Sequence, residues 1–225
     1  MKNLNGVSIL RYLPSSENQP LTAQLVECYR DVFSASPWHE WLKCEKCGKY
    51  WGIKDQELLA SWKFHHCNSP LVDFWPRETV LSELQHEITP ESSCWLACAD
   101  EKVVGFCWGY HASISELQKK LGISIIANAE KYFGKQTLIA YQDEFGVISS
   151  YRGRKIAKAM VAHRLNDFLD KKLTVGIVRT RQFPEPSETY LWYKRLGYHT
   201  LAEYEDGRVI LGRKLDENLF SRLND

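Results

Sequence analysis

Val147-Ile-Ser-Ser-Tyr-Arg-Gly-Arg-Lys-Ile-Ala157 runs from an apolar strand, through a tight basic turn, into an amphipathic helix. The first turn of a helix carries N–H groups that have no partner inside the helix. The helix dipole adds partial positive charge at the same end. Together they make a site for a phosphate or pyrophosphate. Gly153 lets the backbone approach such an anion closely, and Arg152, Arg154 and Lys155 add charge. Beyond the turn, Ile156, Ala157, Met160, Val161, Leu165 and Phe168 share one face of a helix predicted over residues 153–169. Basic glycine turns also serve as plain strand–helix connections, so the rest of the chain has to decide between the two readings.

Upstream, residues 136–148 read as a strand with an unusual acidic centre, Asp143-Glu144. Before it, residues 93–99 and 103–110 are two apolar runs joined by the polar turn Asp100-Glu-Lys102, which predicts a hairpin. Residues 114–133 are weakly helical. At the N-terminal side, residues 7–12 read as a strand, and residues 21–33 and 77–88 carry helical spacing. Downstream come a β-branched strand at 173–181, a short helix at 188–195 ending at Gly197, and a last hairpin through Asp206-Gly207. This order of strands and helices predicts one mixed α/β (α+β) layer domain over residues 1–225.

Two segments together resemble the GNAT acetyltransferases. The family's cofactor signature is Arg or Gln, two residues, Gly, one residue, then Gly or Ala, after a strand ending in Val, a spacer and Tyr-Arg-Gly. Here Val147, Tyr151-Arg152-Gly153 and Ala157 match, while Lys155 stands at the central glycine. In helical backbone that position needs no glycine, and a lysine side chain would turn outward. The second segment is Leu191-Trp-Tyr-Lys-Arg-Leu-Gly-Tyr198, similar to the family's late helix with Tyr193, Gly197 and Tyr198 at the expected spacing. The resemblance covers residues 93–215 well and 7–33 weakly. It implies a mainly antiparallel central sheet flanked by helices. It also implies acetyl-CoA as co-substrate, bound by Val147, Arg152, Gly153, Arg154, Lys155, Ile156 and Ala157.

The chemistry so implied moves an acetyl group from a thioester to an amine. The amine must lose a proton, the carbonyl must be polarised, and the leaving thiolate gains from a proton donor. The resemblance places Tyr193 near the sulfur as that donor; otherwise it is a core aromatic. For the base, Glu144 is preferred over Asp143. Adjacent strand residues point to opposite faces, so only one should face the cleft. His111 and His163 are weaker candidates. Where many relatives carry an Asn seven residues before the tyrosine, this chain has Pro186, and Ser187 beside it reads as a helix N-cap.

Residues 34–75 follow neither period and are dense in Trp, Cys, His and Lys; residues 36–76 read as an insertion. Cys44-Glu-Lys-Cys47-Gly48 is a knuckle able to grip one metal ion, and Phe64-His-His-Cys67 follows about twenty residues later. Cys44, Cys47, Cys67 and either His65 or His66, with His66 the working choice, would complete a closed structural Zn²⁺ site resembling a zinc ribbon. A long irregular stretch needs such a staple. Cys28, Cys94, Cys98 and Cys107 lie on apolar faces and read as core residues.

The net charge of +1 gives no global field toward nucleic acid, and the insertion balances Lys43, Lys46, Lys49 and Lys54 against Glu40, Glu45, Asp55 and Glu57. No run approaches a membrane span, and the first residues carry no secretory pattern. The expected setting is cytoplasmic. The expected partners are acetyl-CoA and an amine acceptor, with no nucleic acid or membrane, as a monomer or a homodimer. The competing reading is a non-catalytic acyl-CoA-binding or zinc-ribbon interaction module.

Overall fold

A computed structural model describes residues 6–216 together with Asn218, Leu219 and Leu223. The chain opens with strand β1 (Val7–Arg11) and helix α1 (Gln19–Ser34). Next come β2 (Leu42–Lys43), β3 (Tyr50–Trp51), α2 (Gln56–Ser61), β4 (His65–His66), β5 (Ser69–Pro70) and β6 (Val72–Asp73). Helix α3 (Arg77–Glu87) leads into the hairpin of β7 (Ser93–Ala99) and β8 (Lys102–Ser113). Then follow α4 (Ile114–Leu121), α5 (Ile126–Phe133), β9 (Leu138–Val147), α6 (Ile156–Asp170) and β10 (Val175–Arg181). Helix α7 (Glu188–Arg195) and the hairpin β11 (His199–Glu203) and β12 (Arg208–Lys214) complete the order.

Seven strands form one sheet in the order β1-β7-β8-β9-β10-β12-β11. Every neighbouring pair is antiparallel except β9 and β10. A parallel pair needs a crossover, and α6 supplies it. Apolar faces of α1 and α3 pack on one side of the sheet around Tyr29, Phe106 and Trp108. On the same side α4 and α5 cover Ile139, Tyr141 and Ile177. The other side is covered by α6 through Met160, Val161, Leu165 and Phe168, and by α7 through Tyr193. The expected mainly antiparallel sheet between helices is what forms.

The parallel pairing is short. It joins only Gly176 to Ala140, Ile177 to Tyr141 and Val178 to Gln142. Beyond Gln142 the two strands part, although β9 runs on to Val147 and β10 to Arg181. The parting coincides with a β-bulge. Trp108 faces Glu144 and Tyr110 faces Tyr141, so Gln142 and Asp143 together oppose Gly109. Only a glycine fits there, because an added Cβ would run into the Tyr141 carbonyl oxygen.

The bulge corrects the expectation of strict alternation. Tyr141 and Glu144, three residues apart, end on the face of Trp108 and Tyr110. Asp143 also turns to that face, where its Oδ2 accepts from the Tyr110 hydroxyl at 2.9 Å and from Lys120 Nζ at 2.6 Å.

Arg164 of α6 holds the bulge from the opposite side. Its guanidinium is fully buried and donates to Trp108 O (3.1 Å), Glu144 O (3.2 Å), Gln142 Oε1 (2.9 Å) and the Tyr193 hydroxyl (3.3 Å). A buried guanidinium must be hydrogen-bonded to persist, and the carbonyls that the extra residue disorders are its partners.

The segment between α1 and α3 is more regular than its sequence suggests. β3, β2 and β6 form a three-stranded sheet, and β4 and β5 a hairpin. Cys44, Trp51 and Leu59 are its buried centre. Two-residue strands leave no periodicity to read.

Candidate active site

The parted end of β9, the basic turn and the start of α6 form one wall of a cleft of about 640 Å³; α7 and the loop before it form the other. Val147, Arg152, Gly153, Lys155, Ile156 and Ala157 all line it. Arg154, expected with them, does not. Its guanidinium covers the Tyr151 ring at 4.6 Å and donates to Ser150 O. Arg152 is partly engaged, its Nε donating to Val147 O at 3.0 Å, which fastens the turn to the strand end. Lys158 and Arg195 also border the cleft. Both were missed in the sequence, Lys158 because it sits one residue past the signature and Arg195 because only the fold brings α7 opposite.

Helix α6 starts at Ile156, later than expected, and Lys155 is its N-cap with φ 63° and ψ 8°. The assumption of helical backbone at Lys155 is therefore corrected. The position is left-handed, which explains why a glycine belongs there. Lys155→Gly is expected to stabilise the fold by roughly 1 kcal/mol and raise Tm by about 2–4 °C. Thermal denaturation checks this, and a lower Tm would show that the lysine side chain supports the turn.

Glu144 is partly buried where β9 leaves β10. Burial pushes its carboxyl well above the usual range; Asp143 adds to this, Arg179 opposes it, and Glu87 and Glu40 contribute further. Glu40, Glu83 and Glu87 were not singled out in the sequence. Glu40 comes from the loop after α1 and Glu83 and Glu87 from successive turns of α3, and the three meet around Tyr29 only in the fold. Lys120 offsets part of this charge through Glu87 (2.7 Å) and Asp143 (2.6 Å).

Tyr193 is enclosed in the core, 1 % exposed, beside Tyr198 and Arg164. Burial raises its phenol and Arg164 lowers it, with a net rise. Its neighbours Leu191 and Trp192 line the cleft, whereas Tyr193 itself faces the bulge. Ser187 caps α7 by accepting from Tyr190 N at 3.0 Å, as expected. His163 is stacked on Trp95 at 4.2 Å.

A second cavity of about 430 Å³ adjoins the cleft and shares Ser36, Pro37, Trp38 and Glu185 with it. Tyr50, Trp51, Lys54 and Asp55 form one wall, and Arg181 lies opposite, over the Trp38 ring at 5.2 Å. His39 Nδ1 and Arg181 Nε are buried there without a hydrogen-bond partner.

Of the metal residues expected, the structure brings Cys44, Cys47 and Cys67 together, with their sulfurs all within 4.8 Å of one another. His66 does not join them: its ring lies edge-on to Trp51 at 5.0 Å and stacked on Trp62 at 6.1 Å. His65 Nδ1 is 2.7 Å from Lys63 O. Cys28, Cys94, Cys98 and Cys107 are buried in the core. Among the described residues, no helix is long and apolar enough to cross a membrane.

The family model described as "Acetyltransferase (GNAT) family" matches residues 59–198, more than half of the chain. Among solved structures, the chain is similar to the PaiA N-acetyltransferase from Thermoplasma acidophilum in complex with coenzyme A. That likeness has a TM-score of 0.52 and 15 % identity, covering 92 % of this chain and 99 % of that one. The GNAT domain of PAT from S. lividans superposes with TM-score 0.54 at 12 % identity, covering 92 % and 90 %. Ard1 from Thermoplasma volcanium gives 0.51 at 13 %, covering 94 % and 99 %. At such identities the likeness is one of fold. No curated protein matches the chain by sequence.

Proposed function

The chain belongs to the GNAT acetyltransferase family, and on that premise we propose that it moves an acetyl group from acetyl-CoA to a primary amine of a small molecule or peptide, by direct attack in a ternary complex. The observation that supports this most is the continuity of one cleft. It runs from the basic turn at Arg152–Gly153, past the parted end of β9, to Trp38 and the adjoining cavity.

The N–H groups at the start of α6, with Arg152, Lys155 and Lys158 around them, suit the pyrophosphate. The edge of β9 beyond Gln142, no longer paired to β10, would offer backbone groups to the pantetheine arm and the thioester carbonyl. The amine enters from the side of α1 and the insertion. Glu144 takes the proton, directly or through a water. Tyr193 is assigned as the acid toward the CoA thiolate. Burial keeps its phenol protonated, and its hydroxyl shares the Arg164 Nη2 donor with Gln142 Oε1, where the strands part.

Residues 36–76 act in this proposal as an insertion that shapes the acceptor pocket, since Tyr50, Trp51, Lys54 and Asp55 wall the cavity next to the cleft. A structural Zn²⁺ held by Cys44, Cys47 and Cys67 would fasten that wall. The three convergent sulfurs fit a thiophilic ion.

A thiol-release assay over a panel of primary amines tests the activity: at least one amine accelerates CoA release, and release independent of every amine would contradict it. With that amine, Tyr193→Phe is expected to lower kcat about 10²-fold and to leave the KM for acetyl-CoA within roughly threefold. An unchanged kcat would remove Tyr193 from the mechanism.

A further inference from the structure

Three sulfur donors converge on the insertion by two local devices. The first is the Cys44–Cys47 knuckle. Gly48 N donates to Cys44 O at 2.8 Å, with Gly48 at φ 72°, and Cys44 N donates to Lys49 O at 2.8 Å. This turn aims both sulfurs to one side. The second is the β4–β5 hairpin. His66 pairs with Ser69, so Cys67 and Asn68 form a two-residue turn, and both are left-handed, at φ 52° and 54°. That conformation suits a hairpin turn, but residues with a Cβ seldom take it. Here it presents Cys67 to the knuckle, and Lys46 Nζ ties the two devices by donating to Cys67 O at 3.2 Å.

The sulfurs lie within 4.8 Å of one another. A zinc ion with bonds of about 2.3 Å holds tetrahedral thiolates roughly 3.8 Å apart, so only a small contraction is needed. Cys44 is buried against Trp51 and Leu59, whereas Cys47 and Cys67 are exposed. The ion would therefore rest on the small core with one side toward solvent.

Among the described residues, no fourth protein donor joins the sulfurs on that side. The His66 ring is held between Trp51 and Trp62, and its carbonyl, rather than its imidazole, approaches Cys44 Sγ at 3.6 Å. His65 turns to the Lys63 carbonyl. Among the described residues, no other His, Cys, Asp or Glu joins the three sulfurs.

We propose that the insertion binds a thiophilic divalent ion, zinc by donor softness, through three thiolates alone, with the fourth coordination position open to an exogenous ligand such as water, a small thiol or an imidazole. This rests on the zinc reading above and alters its coordination. On binding, Cys44, Cys47 and Cys67 each lose a proton to solvent. The exogenous ligand then exchanges without moving any protein group, so the ion is accessible and replaceable where a four-ligand site would enclose it.

Zinc content of the full chain purified without chelator, followed by cobalt substitution, tests this. One equivalent of metal is expected, and Cys67→Ser should weaken binding at least about 100-fold. His65→Ala and His66→Phe, the latter keeping an aromatic ring between Trp51 and Trp62, should retain zinc affinity within about threefold. Millimolar imidazole or 2-mercaptoethanol should shift the visible cobalt bands of the wild-type protein. A loss of tenfold or more in either histidine variant, or cobalt bands unmoved by both added ligands, would overturn the open position and leave the zinc site standing. Wild-type protein that takes up neither zinc nor cobalt would overturn the zinc reading itself, and this inference with it.

Discussion

Replacing Glu144 by glutamine is expected to lower kcat at least about 10²-fold, with acetyl-CoA affinity changed by no more than roughly threefold. Glutamine keeps the size and polarity of the side chain and removes only the basic oxygen. The bulge in β9 brings Glu144 to the face of Trp108 and Tyr29, at the point where β9 parts from β10. Burial there, with Asp143 next in size, holds the carboxyl well above the usual range. A base works deprotonated, so kcat/KM should climb as pH rises through that raised pKa. The glutamine variant should lose this limb of the profile. The same shift acts on stability with the opposite sense. The unfolded chain gives up the Glu144 proton first, so this group makes the folded state less stable as pH rises above the unfolded value. A glutamine variant that keeps both kcat and the rising limb would place the base elsewhere.

Arg164→Met is expected to cost about 3 kcal/mol of stability, seen as a lower urea midpoint with an unchanged slope. Methionine fills much of the space and removes the buried charge. It leaves Trp108 O, Glu144 O and Gln142 Oε1 without the donor that satisfies them in a fully buried site. Each orphaned acceptor costs on the order of 1 kcal/mol or more. Because the bulge sets where Glu144 lies, the surviving folded protein should also lose turnover. A cost below about 1 kcal/mol would mean that β8 and β9 hold the bulge without Arg164.

These two residues mark how far the sequence could be read. The basic turn was legible because an anion site at a helix start needs glycine, positive charge and an apolar helical face in one continuous stretch. All three lie within residues 147–168. The Tyr193–Gly197–Tyr198 spacing was legible for the same reason. Arg164 left a faint mark: it is a charge inside the apolar stripe of Met160, Val161, Leu165 and Phe168. Its partners, however, are carbonyls of two strands, and no side-chain pattern announces carbonyls. The bulge was illegible because it is a register shift between β8 and β9, settled by Gly109 and Arg164 together.

The left-handed Lys155 was half legible. Its place at the family's glycine shows in the sequence, whereas the helix start at Ile156 and the left-handed backbone just before it do not. In residues 36–76, the three cysteines could be grouped by spacing. The orientation of His66 could not, since it depends on Trp51 and Trp62 flanking the ring. The acids near Tyr29 carry no common motif, since Glu40 lies in the loop after α1 while Glu83 and Glu87 sit one turn apart on α3.

Calorimetric titration of acetyl-CoA into the purified protein decides whether the cleft at the basic turn holds the cofactor. One equivalent should bind, and substitutions of Arg152 or Lys158 that remove charge at the turn should weaken it. No heat of binding up to millimolar acetyl-CoA would contradict acetyl transfer by this chain.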